Sequence, residues 1–548
     1  MSKLTGAEIL LRSLIDQGIE HIFGYPGGAN LPIFDALCDS KKLKHIIVRH
    51  EQGAAHMADA YSRVSGKLGV CLATSGPGAT NLVTGIATAY LDSSPLLAIT
   101  AQVERRLIGT DAFQEVDILG ITLPITKHNL AVMSADDIAS SVQKAAWIAQ
   151  SGRPGPVLLD IPKDVLQDKG EYSKGMKVHI EGYNPITQGH LGQIKRAAKK
   201  LTQKKKPVII AGGGINRAGA SAELMQLSRL IKAPVVYTLM GKSSIPEKYN
   251  LNLGMLGLHG TKNASKALSE ADLILVAGIR FGDRAIQSYE KFGQNADVIQ
   301  IDVDPAEVDK NVKVNIPVVG DAKNILQRLN ELLQTDYGLD QNMSSTQSIG
   351  SASIEEDVGN RFCMPNIVKT ISDLNEDFIV ATDVGRHQMW AAKYYRSSKL
   401  EPRMFVTSGG LGTMGFGLPA ALGAKMAFPS RKVLLFTGDG SILMKIQELD
   451  TSFHHGLPVI IVILNDQCLG MIHQLQNLHY KKRYKDCEFP HRVDFISIAK
   501  GFGLAGEMID NLDQLERSIK RATESQVTYV IDCKLGEQIN ILSQNNKD

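Results

Sequence analysis

The chain has 548 residues, of which 43% are hydrophobic and 21% charged, with a formal net charge of +3. That length allows three or four domains of ordinary globular composition. The near-balanced charge leaves no nucleic-acid or membrane-surface footprint, and no apolar run reaches spanning length.

Residues 4–19 place Ile9, Leu10, Leu14 and Ile15 on one helical face, so the N-terminus reads as amphipathic helix and no signal peptide is expected. In HIFGYPGGANLPIFDAL (21–37), Ile22-Phe23 is a strand, Gly24 to Gly28 a tight turn, and Pro32 starts a helix. That turn lacks a GxGxxG or P-loop pattern and reads as structural. Ile46 to Val48 is the next strand, and Glu51 opens a helix of small residues running to about Ser65. An acid in a first turn complements the helix dipole, which by itself accounts for Glu51. Residues 69–100 form a βαβ unit, with strands Val70–Ala73 and Leu96–Ile99 around a helix Asn81–Leu91. Residues 102–129 are polar and poorly periodic, and a long irregular stretch in a compact domain is usually functional. The strand Val157–Ile161, with Lys163 just beyond it, closes a first domain of residues 1–167, and the polar residues 168–188 read as a linker.

A middle domain over 190–335 has the strands of PVIIAGGGI (207–215), ADLILVAGIRFGDRA (271–285) and DVIQIDVDP (297–305), with Asp302 at the end of the last. The pattern is Rossmann-like, but no GxGxxG with a properly spaced acid is present, so the residues alone allow a dinucleotide without requiring one. Ser/Gln-rich residues 341–358 read as a linker to a last domain over 360–540. There, the strand Phe378–Ala381 enters ATDVGRHQMW (381–390), and residues 407–424 are a Gly/Ala-dense loop and helix. The lysine-rich runs 204–206 and 481–485 read as solvated faces, the second alternatively as a mobile basic segment near a site. The six cysteines, Cys38, Cys71, Cys363, Cys468, Cys487 and Cys533, show no metal spacing and read as the reduced thiols of a cytoplasmic protein.

The most informative stretch is KVLLFTGDGSILMKIQELDTSFHHGLPVIIVILNDQCLG (432–470). Val433 to Phe436 is a strand, Gly438-Asp439-Gly440 a turn, and Ile442, Leu443, Ile446 and Leu449 recur at helical spacing until Gly456 and Pro458. Val459 to Leu464 is a second strand, ending at Asn465-Asp466. Asp439 and Asp466 therefore lie past the carboxyl ends of two parallel strands, the edge where open α/β sheets bind ligands. Two carboxylates there make a hard oxygen site suited to Mg²⁺ bridging phosphate oxygens. Glycine N–H groups and a helix N-terminus add attraction for the phosphate.

GDG followed at the next strand end by Asn-Asp resembles the fingerprint of thiamine diphosphate (ThDP) enzymes. Within that group, RHEQGAAHMADAY (49–61), RRLIGTDAFQE (105–115), TLMGKSSIP (238–246), GMLGLHGT (254–261) and GIRFGDR (278–284) resemble the acetohydroxyacid (acetolactate) synthases. The resemblance implies an α/β chain of three domains, each a mainly parallel sheet flanked by helices, with the ThDP-binding fold twice and a Rossmann-like domain between. It implies decarboxylation of pyruvate and condensation with a second 2-keto acid, giving 2-acetolactate and CO₂. Glu51 would contact the aminopyrimidine ring and drive proton relay. Asp439, Asp466 and the main-chain carbonyl near Cys468 would hold Mg²⁺. Gly385, Arg386, His387, Gly412, Gly440 and Ser441 would approach ThDP, and Met414 would wedge under its thiazolium. Phe113 and Gln114 would line the site, with Gln114 and Lys163 bordering the second substrate. FAD, structural in the family, would contact Arg153, Gly213, Thr238, Leu239, His259, Gly278, Arg280, Asp283 and Asp302.

In the family the two ends of ThDP are held by different subunits. Glu51 and Asp439 would then meet across the interface of a homodimer or homotetramer, and a monomer would be inactive; a small regulatory subunit is a further family partner. The chain also departs from the family. Asp466 stands for Asn, Arg386 for Gln, Glu104 for Pro and Gly282 for Asp. Leu475 stands where Trp favours 2-ketobutyrate, which points to pyruvate as second substrate. Residues 537–548 lack a Pro-rich tail, so closure over the site is expected to differ. Metal binding is expected to survive Asp466→Asn, and Arg386 is expected to offset the added charge of Asp466. Two other readings stay open: another ThDP-dependent decarboxylase or carboligase, and a flavin-binding homologue without catalysis.

Overall fold

Three six-stranded sheets, parallel throughout, organise the residues that the computed structural model describes, namely 3–174, 179–286, 288–290, 292–340 and 359–536. The linker 341–358 and the tail 537–548 lie outside these residues. The central strands are legible in sequence because both of their faces are covered. All seven residues of Leu96–Gln102 and of Pro156–Pro162 are buried, and such strands read as continuous apolar runs.

The first sheet runs Lys44–Ile47, His21–Gly24, Gly69–Ala73, Leu96–Gln102, Pro156–Pro162, His128–Ala131 in spatial order. Its last strand begins at the end of the stretch expected to be irregular. His128–Ala131 is an edge strand with no fully buried residue, so no apolar run marks it. The linker beyond Pro162 also differs from expectation, because Lys169–Gly170 pairs antiparallel with Leu4–Thr5. The middle sheet runs Asn252–Met255, Val235–Tyr237, Pro207–Ala211, Leu273–Ala277, Asp297–Asp302, Ile316–Val319. The last runs Phe405–Val406, Phe378–Thr382, Lys432–Gly438, Ile460–Asn465, Tyr529–Lys534, Ala505–Ile509.

The helix expected after the GDG turn is broken in two, Asp439–Ile442 and Glu448–His455. Between them Met444, Lys445 and Glu448 donate to the carbonyls three residues back, which winds the chain too tightly for an α-helix. Leu443, expected on the buried face, is consequently 39% exposed.

Asp92 joins all three domains. Its carboxylate pairs with Arg63 at 3.0 Å and accepts the Gly409 and Gly410 N–H groups of the last domain at 3.2 and 2.7 Å. Its carbonyl accepts from Arg217 of the middle domain at 3.1 Å. Arg63 also pairs with Asp59 and donates to the Thr407 carbonyl at 2.7 Å, so these buried charges are compensated. No helix of the described residues is long and apolar enough to cross a membrane.

Candidate active site

Two sheet edges carry the candidate residues. On the first domain, Glu51 opens the helix Glu51–Ser65 immediately after an edge strand. His50 caps the helix, accepting the Gln52 N–H at 3.1 Å, so the Glu51 carboxyl is free to project. Asn81 donates to it at 2.9 Å, and Gly78 leaves room beside it, since a Cβ there would stand 3.3 Å from its Oε1. Lys163 is half-buried at the start of Lys163–Gln167, beyond the strand Pro156–Pro162. Arg105 ties that helix to the loop after Leu96–Gln102 through Asp164 at 2.7 Å and Asp168 at 2.6 Å.

Gln114 sits in the left-handed region at φ +61°, and Phe113 beside it is 87% exposed. The loop is closed by Glu115, whose carboxylate accepts the Gly109, Thr110 and Ala112 N–H groups. Its back rests on Gly76, where a Cβ would lie 2.8 Å from the Gln114 Cβ. A non-glycine residue held at positive φ is strained backbone of the kind that collects at functional sites.

On the last domain, parallel register sets Gly438 beside Leu464, which brings Asp439 and Asp466 to the same edge. Asp439 is buried. Burial first, and then the neighbouring Asp466 charge, push its carboxyl up to about 7. Asp466 is paired with Arg386, and both side chains are only 5% exposed. The guanidinium also reaches Cys468 Sγ at 3.3 Å and lies over Gly470, where a Cβ would meet its Nε at 2.0 Å. Burial pushes the Cys468 thiol up to about 12, so it stays protonated. Among the described residues no group of three or more His, Cys, Asp or Glu is arranged to hold a metal, so a cation here would rest on two carboxylates and main chain.

The surroundings fit a diphosphate. Gly385 adopts φ +150°, and a Cβ there or at Gly438 would stand 2.7 or 2.9 Å from the His387 ring. His387 Nε2 is buried without a partner, and burial lowers the ring to about 3, so it is neutral. Ser441 donates to the Val384 carbonyl at 2.9 Å, while Gly440 packs on Leu469 and Phe489. Met414 is half-buried between Thr413 and Gly415, on a loop where Gly412 also turns through positive φ.

Asp383 escapes a reading of the sequence, although it holds that cradle together. It accepts the Val384 and Gly415 N–H groups at 2.8 and 2.9 Å and the Gly417 N–H at 3.0 Å. Burial raises it to about 6. An acid directly after a buried strand is its signal, the same one that marks Asp439. Asn81 has no such mark, being one polar residue in a run of small ones.

The middle domain has a second cradle. The chain at Gly212 passes so close to Gly278 that a Cβ would meet its carbonyl at 2.0 Å, and Gly213 faces Met240. Gly278 itself is at φ +63°. Thr238 caps the turn Leu239–Gly241. His259 Nδ1 is buried without a partner, and burial lowers the ring to about 4. Arg280 is within reach of Gly410, and Asp302 at its strand end is raised to about 6 by burial. Arg153 is held by Asp304 at 3.1 Å, Glu307 at 2.7 Å and Ser93 at 2.9 Å, and Asp283 is 77% exposed beside Arg284.

Comparison with known proteins gives the class first. The "Thiamine pyrophosphate enzyme, N-terminal TPP binding domain" matches residues 4–121, the central domain of the same enzymes 194–329, and the C-terminal TPP binding domain 383–533. Fold and site together are those of a ThDP enzyme. The relatives are narrower. The chain is 45% identical to a "Probable acetolactate synthase large subunit" of Methanocaldococcus jannaschii, over 96% of this chain and 91% of the relative. It is 46% identical to the "Acetolactate synthase large subunit" of Buchnera aphidicola subsp. Acyrthosiphon pisum, over 95% and 92%. It is 45% identical to the "Acetolactate synthase isozyme 3 large subunit" of Escherichia coli K12, over 96% and 93%. The chain belongs to the acetolactate synthase family.

Proposed function

We propose that this chain is the catalytic subunit that decarboxylates pyruvate and condenses the remaining two carbons with a second 2-keto acid, giving 2-acetolactate. The observation that carries the reading is the last sheet's edge, where Asp439 and Asp466 stand beside a glycine-lined cradle and an unpartnered His387 nitrogen. When bound, ThDP supplies a carbon nucleophile and an electron sink for decarboxylation. The chain's residues then bind, orient and move protons. Asp439, Asp466 and the Cys468 carbonyl would hold Mg²⁺, which supplies positive charge for the diphosphate. Gly385, Arg386, His387, Gly412, Gly440 and Ser441 would line the cofactor, with Met414 on the neighbouring loop supporting its ring. Glu51, steadied by Asn81, would hold a proton against the pyrimidine, and Phe113, Gln114 and Lys163 would border the incoming keto acid.

Glu51 and Asp439 serve two different sites in a pair of chains. Supporting this, Phe113 (87% exposed) and Met444 (50%) leave apolar surface bare beside the two edges, as a second copy would cover. FAD fits the middle cradle of Gly213, Thr238, Leu239, His259, Gly278, Arg280 and Asp302 as a structural group. The relatives' name, large subunit, supports a smaller regulatory partner. The free cysteines among the described residues support a cytoplasmic site of action.

Purified protein given pyruvate, ThDP and Mg²⁺ should form 2-acetolactate, and its absorbance spectrum should show flavin. Release of acetaldehyde or another carboligation product in place of acetolactate would overturn the reading. Gly76→Ala should force Gln114 aside, since the new Cβ has nowhere to go and φ is +57°. A strain of about 1–3 kcal/mol at that loop should cut kcat/KM for pyruvate roughly tenfold or more, with ThDP affinity unchanged. Leu475 lies half-buried on the helix Gly470–His479. Leu475→Trp should raise the share of 2-ketobutyrate product in a mixed-substrate assay by roughly tenfold, the scale on which one hydrophobic contact discriminates.

A further inference from the structure

One helix of the last domain grips the turn of the first domain that carries Glu51. Glu448, the first residue of Glu448–His455, is fully buried (0% exposed) and turns its carboxylate away from its own backbone. Both oxygens accept the Arg49 N–H at 3.2 Å, and Thr451 donates to one of them at 2.6 Å. On the other side of Glu51, a Cβ on Gly53 would stand 2.5 Å from the same carboxylate. The Arg49 guanidinium pairs with Asp450, and the His455 ring meets the Ile47 carbonyl at 3.1 Å. The backbone two residues before and two residues after Glu51 thus rests on Glu448, while the Glu51 carboxyl faces Asn81.

A buried carboxylate is costly, and an apolar side chain of similar volume would serve packing better. We propose that Glu448 is a positioning residue for Glu51, holding from another domain the backbone on both sides of the carboxyl that meets the cofactor's pyrimidine. This rests on the reading of Glu51 given above. Burial pushes Glu448 up to about 7, so a neutral glutamine is a fair mimic of it. Lys445, itself buried, lies in the field of both Glu448 and Glu51.

The test compares Glu448→Leu, Glu448→Gln and Glu51→Gln. With Glu448→Leu, kcat should fall roughly tenfold or more while KM for pyruvate stays within about twofold, because a displaced proton-transfer group slows chemistry and leaves substrate binding intact. In the cofactor-free protein the amide of Arg49 should lose hydrogen-exchange protection by about tenfold, with the three sheets unchanged. Glu448→Gln should restore both. Should Glu448→Leu not fold, Gly53→Ala drives a methyl into the same carboxylate and should give the same split. Unchanged kcat and exchange in Glu448→Leu, or a glutamine no better than leucine, would overturn the proposal. An undiminished Glu51→Gln would instead strike the reading of Glu51 itself.

Discussion

Replacing Glu51 by glutamine is expected to lower acetolactate formation by about 100-fold or more at saturating pyruvate, the scale of a lost general acid–base group. Glutamine keeps the length of the side chain, and its amide oxygen can still accept from Asn81, which donates to Glu51 at 2.9 Å. The helix Glu51–Ser65 is capped by His50 and packed through buried Ala54, Ala55 and Ala58, none of which the change touches. The melting temperature should therefore move by no more than about 2 °C, as for a substitution outside the core. ThDP should still bind with Mg²⁺, read from quenching of Trp147 and Trp390 fluorescence, because the residues proposed for metal and diphosphate lie at the other edge. Turnover that survives Glu51→Ala would sink the assignment of the proton-relay group.

The second large effect concerns charge. Arg386→Gln should weaken ThDP binding far more than Arg386→Gln combined with Asp466→Asn. The ion pair is almost fully buried, and removing one member of such a pair leaves an uncompensated charge at a cost of about 3–5 kcal/mol. Here the orphaned charge would be a carboxylate beside Asp439 and the incoming diphosphate, so repulsion adds to desolvation. Asp466→Asn alone keeps an oxygen for the metal, and metal binding should survive it, though Arg386 is then left without its partner. The double change puts two neutral amides where a neutralised pair stood. Affinity for ThDP and Mg²⁺, measured by calorimetry on cofactor-free protein, should show a coupling of at least about 1.4 kcal/mol, a factor of ten. Strict additivity of the two single changes would mean that Arg386 and Asp466 act independently.

The strands, and the acids at their ends, follow from local sequence. A strand covered on both faces is largely apolar, so runs such as Leu434–Phe436 and Ile460–Leu464 announce themselves, and the acid just past the strand's end lies at the binding edge. Asp439, Asp466 and the start of the helix at Glu51 are legible for that reason, as is the triple α/β plan. Tertiary structure alone decided the rest. The break between Ile442 and Glu448 goes against helical spacing, and beyond it Glu448 lies against Arg49 of another domain. Gln114 at positive φ lies against Gly76, a residue 38 positions earlier in the chain, where a Cβ would not fit. Arg386 meets Asp466 across 80 residues, and Glu448 reaches Arg49 across 399. Periodicity records only which face of an element is buried. Which charge lies against which is settled by how the sheets are placed, and no local pattern carries that.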